Sequence, residues 1–169
     1  MGAHARSTGG YSVYPAGPVG TAAMFSFKYL TPMFLSEALA IDEAAIEVTT
    51  AAAGGLVDFG YYTQSADGTF ALGALFGTAD ASTTGIKAST GAWTLPAGVT
   101  WLAVAPNVNA IQIRVTTTGF AFPGPVYTLA AGISSASYGV RSAGYRLTTP
   151  LTANTTGETL APRFRFRTA

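Results

Sequence analysis

The densest run of chemistry-bearing side chains is PRFRFRT, where Arg163, Arg165 and Arg167 alternate with Phe164 and Phe166. On an extended strand, alternate side chains share a face about 6–7 Å apart. The arginines then form a cationic row, backed by an apolar row of phenylalanines. Phosphates of a nucleic acid would fit such a row, yet the formal net charge is only +1, so nucleic acid is not the expected partner. Carboxylates are. In residues 1–80, Glu37, Asp42, Glu43, Glu47, Asp58, Asp67 and Asp80 face only Arg6 and Lys28, whereas residues 81–169 are basic with Glu158 as their one acid. Two outcomes are open. The opposite charges mix on one folded surface, or an acidic face of one subunit meets a basic face of its neighbour. The second makes Glu43, Glu47, Arg163, Arg165 and Arg167 the candidate subunit-interface residues.

The same carboxylates offer little for catalysis. Glu43 and Glu47 share a strand face, but four residues of rise separate them by about 13 Å. Glycosidase carboxylates stand about 5–9.5 Å apart. Asp42 and Glu43 are adjacent and point to opposite faces. The fold could still bring Asp58, Asp67 or Asp80 near one of them, with solvated acidic faces as the default. The single histidine is His4 and there is no cysteine. This excludes a Ser-His-Asp or Cys-His arrangement within the core, and a thiolate metal site. Neither GxGxxG nor GxxxxGK[ST] occurs, so nothing cradles a nucleotide. SADGTF is a turn around Asp67-Gly68 before it is a calcium loop. No cofactor, no metal and no enzymatic activity are expected.

Aromatic rings could instead form a platform for sugars. Tyr61, Tyr62, Trp93 and Tyr138 are the candidates for glycan contact, each with core or rim packing as the alternative. Only 10% of the residues are charged against 49% hydrophobic, well below the charge of an ordinary soluble domain. So uncharged a surface suits a place inside an assembly. No apolar stretch reaches the roughly 20 residues of a membrane-spanning helix, and the start lacks a hydrophobic signal core.

The elements that would position these residues read as strands. Residues 1–23 have the Gly/Pro/Ser composition of an extended arm, with Tyr11, Val13 and Tyr14 as anchors for docking. From residue 24 to 169 the texture is that of one domain. Ala44, Ile46 and Val48 alternate with Glu43, Ala45 and Glu47; Val57, Phe59 and Tyr61 with Asp58, Gly60 and Tyr62; Ile111, Ile113 and Val115 with Gln112, Arg114 and Thr116. Period-two patterns of this kind are half-buried strands. Pro32 marks an edge, bulge or break. SEALAIDEAA holds at most one helical turn. Short strands at about ten-residue spacing, parted by Gly/Pro turns, make an all-β protein, an antiparallel jelly-roll-like β-sandwich with an extended N-terminal arm.

One long segment also resembles a known module. AIDEAAIEVTTAAAGGLVDFGYY, TADASTTGIK and LPAGVTWLAVAP, within residues 25–105, are similar to a β-sandwich module of bacteriophage virion proteins of the tail-fibre, head-fibre or minor structural type. The matching positions include Ile41, Asp42, Ile46 to Gly54, Gly60, Tyr61, Asp80, Thr84, Gly85, and Trp101 to Ala103. SADGTFALGALF departs from the family's glycine-rich segment, and residues 106–169 are unmatched. The resemblance implies a virion-surface structural protein made in the bacterial cytoplasm. Its partners would be other virion proteins and copies of itself, with a trimer favoured over a pentamer, and a host receptor or surface glycan. A head decoration or cement protein is the alternative, and a carbohydrate-active enzyme a distant third.

Overall fold

Thirteen strands and no helix occupy the residues described by the computed structural model, which are 11–14, 19–24, 27–116, 139–148, 151, 156–158 and 161–169. The alternating segments form β3 (Phe27–Leu35), β4 (Leu39–Thr50), β5 (Leu56–Gln64), β6 (Phe70–Asp80), β7 (Gly85–Leu95), β8 (Gly98–Pro106) and β9 (Gln112–Thr116). Ahead of them lie β1 (Tyr11–Tyr14) and β2 (Val19–Ala23). After them come β10 (Gly139–Ala143), β11 (Thr156–Glu158), β12 (Ala161–Pro162) and β13 (Phe164–Thr168).

The eight strands from β2 to β9 build the expected jelly roll. In the first sheet β2, β9, β4 and β7 are neighbours in that order, and in the second β3, β8, β5 and β6, every pair antiparallel. Along this run the chain changes sheet at every connection except the β5–β6 hairpin. That is the winding of a jelly roll. The other strands widen both sheets. β13 lies beside β4, β1 beside β13 and β12 beside β9, while β10 and then β11 extend the second sheet beyond β3.

One reading of the sequence changes here. Part of the segment expected as an arm belongs to the first sheet: Tyr11–Tyr14 pairs with Arg167–Phe164, and Val19–Ala23 with Thr116–Gln112. VGTAA carries no apolar alternation, because it is held through its backbone, and composition does not report backbone pairing. SEALAIDEAA is a bend followed by β4, its β-branched continuation and strand partners on both sides overriding the alanines. Pro32 sits where expected. It pairs with Trp101 on β8, and on the other edge of β3 the described pairing with β10 reaches only Leu30.

Alternation puts one face of each sheet into a shared core. Phe164 and Phe166 point inward while Arg163, Arg165 and Arg167 are half-exposed. The two rings stack at 5.8 Å, and Phe166 meets Phe76 edge-on at 6.1 Å. Phe76 in turn meets Trp93 at 5.1 Å. Aromatic pairs of this geometry add to the stabilisation by burial. The β4–β5 turn carries the chain between the sheets. Its alanines end β4, and Gly54 takes φ +69°, a conformation open to glycine at little cost. Asn107 clamps this turn, accepting from Leu56 N at 2.7 Å and donating to Gly54 O at 3.1 Å.

Phe166→Ala opens a cavity between the sheets and should cost about 3–5 kcal/mol in chemical denaturation. A loss below about 1 kcal/mol would show that the site collapses freely and that the ring stack does not hold the layers together.

Candidate interaction surface

On the outer face of the first sheet, register brings the two charge-rich halves of the chain side by side. Glu43 lies opposite Thr90 on β7 and Arg167 on β13, Ala45 opposite Ala88 and Arg165, and Glu47 opposite Ile86. Across β13, Arg165 lies opposite Val13 and Arg167 opposite Tyr11. The charges pair within the chain. Glu47 receives two bonds from Arg114, at 2.6 and 3.1 Å. Arg167 donates to Asp42 at 2.7 Å and lies 3.2 Å from Glu43. Tyr11 also donates to Glu43 at 3.3 Å.

Asp42 and Glu43 were expected on opposite faces. A register shift between Ile41 and Glu43 in the β4–β7 ladder breaks the alternation and lets both carboxylates reach one guanidinium. Of the two outcomes open from the sequence, mixing within one folded surface describes Glu43, Glu47 and Arg167. Arg163 and Arg165 are different. Arg165 places its guanidinium carbon 3.5 Å from the centre of the Tyr11 ring, and Arg163 Nε is buried without a hydrogen-bond partner. Arg114, unmarked in the sequence except as the polar position of an alternating strand, is the residue that fixes Glu47.

The docking candidates split. Tyr11 and Val13 are exposed on the outer face, whereas Tyr14 turns inward and donates to Pro32 O at 2.8 Å. Burial pushes the Tyr14 hydroxyl pKa up, consistent with a side chain committed to packing.

The glycan candidates fare less well. Tyr61 is buried between the sheets and donates to Thr94 O at 3.1 Å. Its ring passes over Gly73, where a Cβ would lie 2.1 Å from the ring. Tyr62 faces the other way and is 0% exposed. Neither is an open platform, because both faces of β5 are covered. Trp93 is half-buried against Phe76, and Tyr138 lies outside the described residues.

The cover over Tyr62 is a second small core on the outer face of the second sheet. Leu147 and Leu151 close over Leu30, Phe70, Trp101 and Tyr62. Tyr62 donates to Thr148 O at 2.9 Å, and Leu151 forms a bridge with Phe70. Buried Asp58 pins the same segment, accepting from Thr78 at 2.7 Å and from Arg146 and Leu147 N at 3.4 Å. Two further acids are turn formers. Asp67 accepts from Ser65 and Thr69, and Asp80 from Ser82. Among the described residues, no three His, Cys, Asp or Glu side chains group to hold a metal ion. On this face guanidinium groups stand among apolar side chains. No family model matches the chain, and no curated protein matches it.

Two titrations test these contacts. The hydrogen bonds from Arg114 hold the Glu47 carboxyl below its usual range, with burial opposing. A depressed folded pKa gives stability that is present above the unfolded value, about 4.3, and lost as pH falls through the folded one. Melting temperature measured from pH 6 to 2 should therefore fall less steeply for Glu47→Gln than for the parent; parallel curves would mean the pair contributes nothing. Burial, first of all, pushes Tyr62 up to about 12. A raised folded pKa gives stability present below about pH 10 and lost as pH rises towards the folded value. One tyrosine should ionise near pH 12 in an absorbance titration, and that step should vanish in Tyr62→Phe. An unchanged titration would contradict the covered environment.

Proposed function

We propose that the chain is a non-enzymatic structural protein on the surface of a bacteriophage or phage-like particle, acting as a homo-oligomer through shape and avidity. The observation that carries this reading is the flank formed by β6 and β7. Its charged residues are Asp80 and Lys87, both at one end and both engaged locally, with Ser82 N at 2.8 Å and Thr83 Oγ1 at 2.6 Å. Between them the exposed side chains are small or apolar, and Leu75 and Ile86 are 42% and 55% exposed. Long exposed strands with so little charge are surfaces that neighbours cover.

Two further points support the reading. Jelly rolls recur in viral capsid and lectin domains, and the segment resembling phage virion modules spans β3 to β8. Fold alone assigns no activity, so the weight rests on the flank and the resemblance. A symmetric oligomer, a trimer before a pentamer, multiplies weak contacts with other virion proteins or with a host surface. A decoration or cement protein with no receptor role is the second reading, favoured by the burial of Tyr61 and Tyr62.

Immunogold electron microscopy of purified particles, with sedimentation of the isolated protein, tests this. Label on the particle surface and a sedimenting oligomer are expected. A protein that is monomeric and absent from purified particles would end the proposal.

A further inference from the structure

The outer face of the first sheet holds a groove of about 400 Å3. Val13, Ala45 and Ile86 give it an apolar lining, and Tyr11, Glu47, Arg114, Arg163 and Arg165 supply its polar groups. Ion pairing elsewhere on the face leaves two of these cations over. Arg114 takes Glu47, and Arg167 takes Asp42 and Glu43. Among the described residues, no carboxylate lies within ion-pair distance of Arg163 or Arg165. Arg165 is held in place by the Tyr11 ring, and Arg163 Nε is a buried donor with no acceptor. Leaving a charged donor buried and unsatisfied is costly. Guanidinium groups match carboxylates in geometry and charge, so an oxyanion suits this pair.

The rest of the groove narrows the ligand. A bare inorganic anion would leave the apolar lining unused and would be repelled by Glu47. An extended peptide gains most from an open strand edge, whereas this groove lies on a sheet face with β1, β13, β4 and β7 paired across it. A sugar ring bearing a carboxylate uses both the cations and the apolar wall. The geometry points to a binding site for an acidic saccharide, of the uronic or sialic acid type. Its carboxylate meets Arg163 and Arg165, the apolar face of its ring packs against Ile86, and a hydroxyl donates to Glu47, which lies opposite Ile86. The site stands on this chain alone and rests on the virion reading only for where such a saccharide would be met.

Calorimetric titration of the full chain with oligogalacturonate and with sialyllactose is the direct test, with maltooligosaccharide, acetate and penta-glutamate as controls. At least one acidic saccharide should bind, more weakly as salt rises, and the neutral one should not. Arg163→Gln and Arg165→Gln should each weaken binding about tenfold or more. Ile86→Asp, at a position 55% exposed, should abolish binding without unfolding the protein, and Arg146→Gln on the opposite sheet should leave it unchanged. Equal affinity for acetate or penta-glutamate would overturn the assignment in favour of a general anion site. Binding unaltered in the glutamine variants, or no heat from either acidic saccharide, would overturn it outright. Particle labelling is read separately, so failure here leaves that reading standing.

Discussion

The whole first sheet hangs on β4. Twelve residues long, it has strand partners along both edges: β7 on one side, β13 and then β9 on the other. Every other strand of that sheet bonds to β4 directly or through one neighbour. Its two faces do different work. Ile41, Ala44, Ile46 and Val48 enter the core, while Glu43 and Glu47 set the charges that Arg167 and Arg114 must answer. A slip of one residue in its register would exchange those faces. Packing and electrostatics therefore specify the same alignment, and neither tolerates the alternative.

The uneven charge of the two halves follows from this arrangement. Acids concentrate in β4 and β5, and the bases that answer them come from β9, the segment after β10, and β13. Strands remote in sequence are neighbours in a jelly roll, so charge segregated along the chain becomes charge alternating across the sheet. Arg163 and Arg165 stand out against that background: among the described residues no carboxylate lies within ion-pair distance of either.

Much of the fold was legible. The inward set Phe164 and Phe166, the alternation in β4, β5 and β9, and the Asp67-Gly68 turn all follow from local rules, and they lie where those rules put them. What was hidden depends on distant partners. VGTAA is a strand because β9 offers a ladder. The β4 bulge, which turns Asp42 towards Arg167, depends on β7. Tyr62 looked like a solvent-facing residue because alternation assumes one wet face per strand, and Leu147 and Leu151 arrive from elsewhere to cover the second. The groove needed four strands in register before its lining existed, so no single stretch announced it.

The pairing of β1 with β13, and of β13 with β4, has a kinetic side. Tyr11 meets Arg167, residues far apart in the sequence. Contacts of such separation close large loops, and they form late and slowly. During synthesis the stretch of β4 that pairs with β13 stays open until Phe164–Thr168 has left the ribosome. Nascent chains growing side by side would each present that same edge while the matching β13 of a neighbour is already free. Exchange of β13 between copies is the characteristic hazard of such a topology. The order in which β1, β13 and β4 meet thus bears on whether each copy closes on itself or on its neighbour.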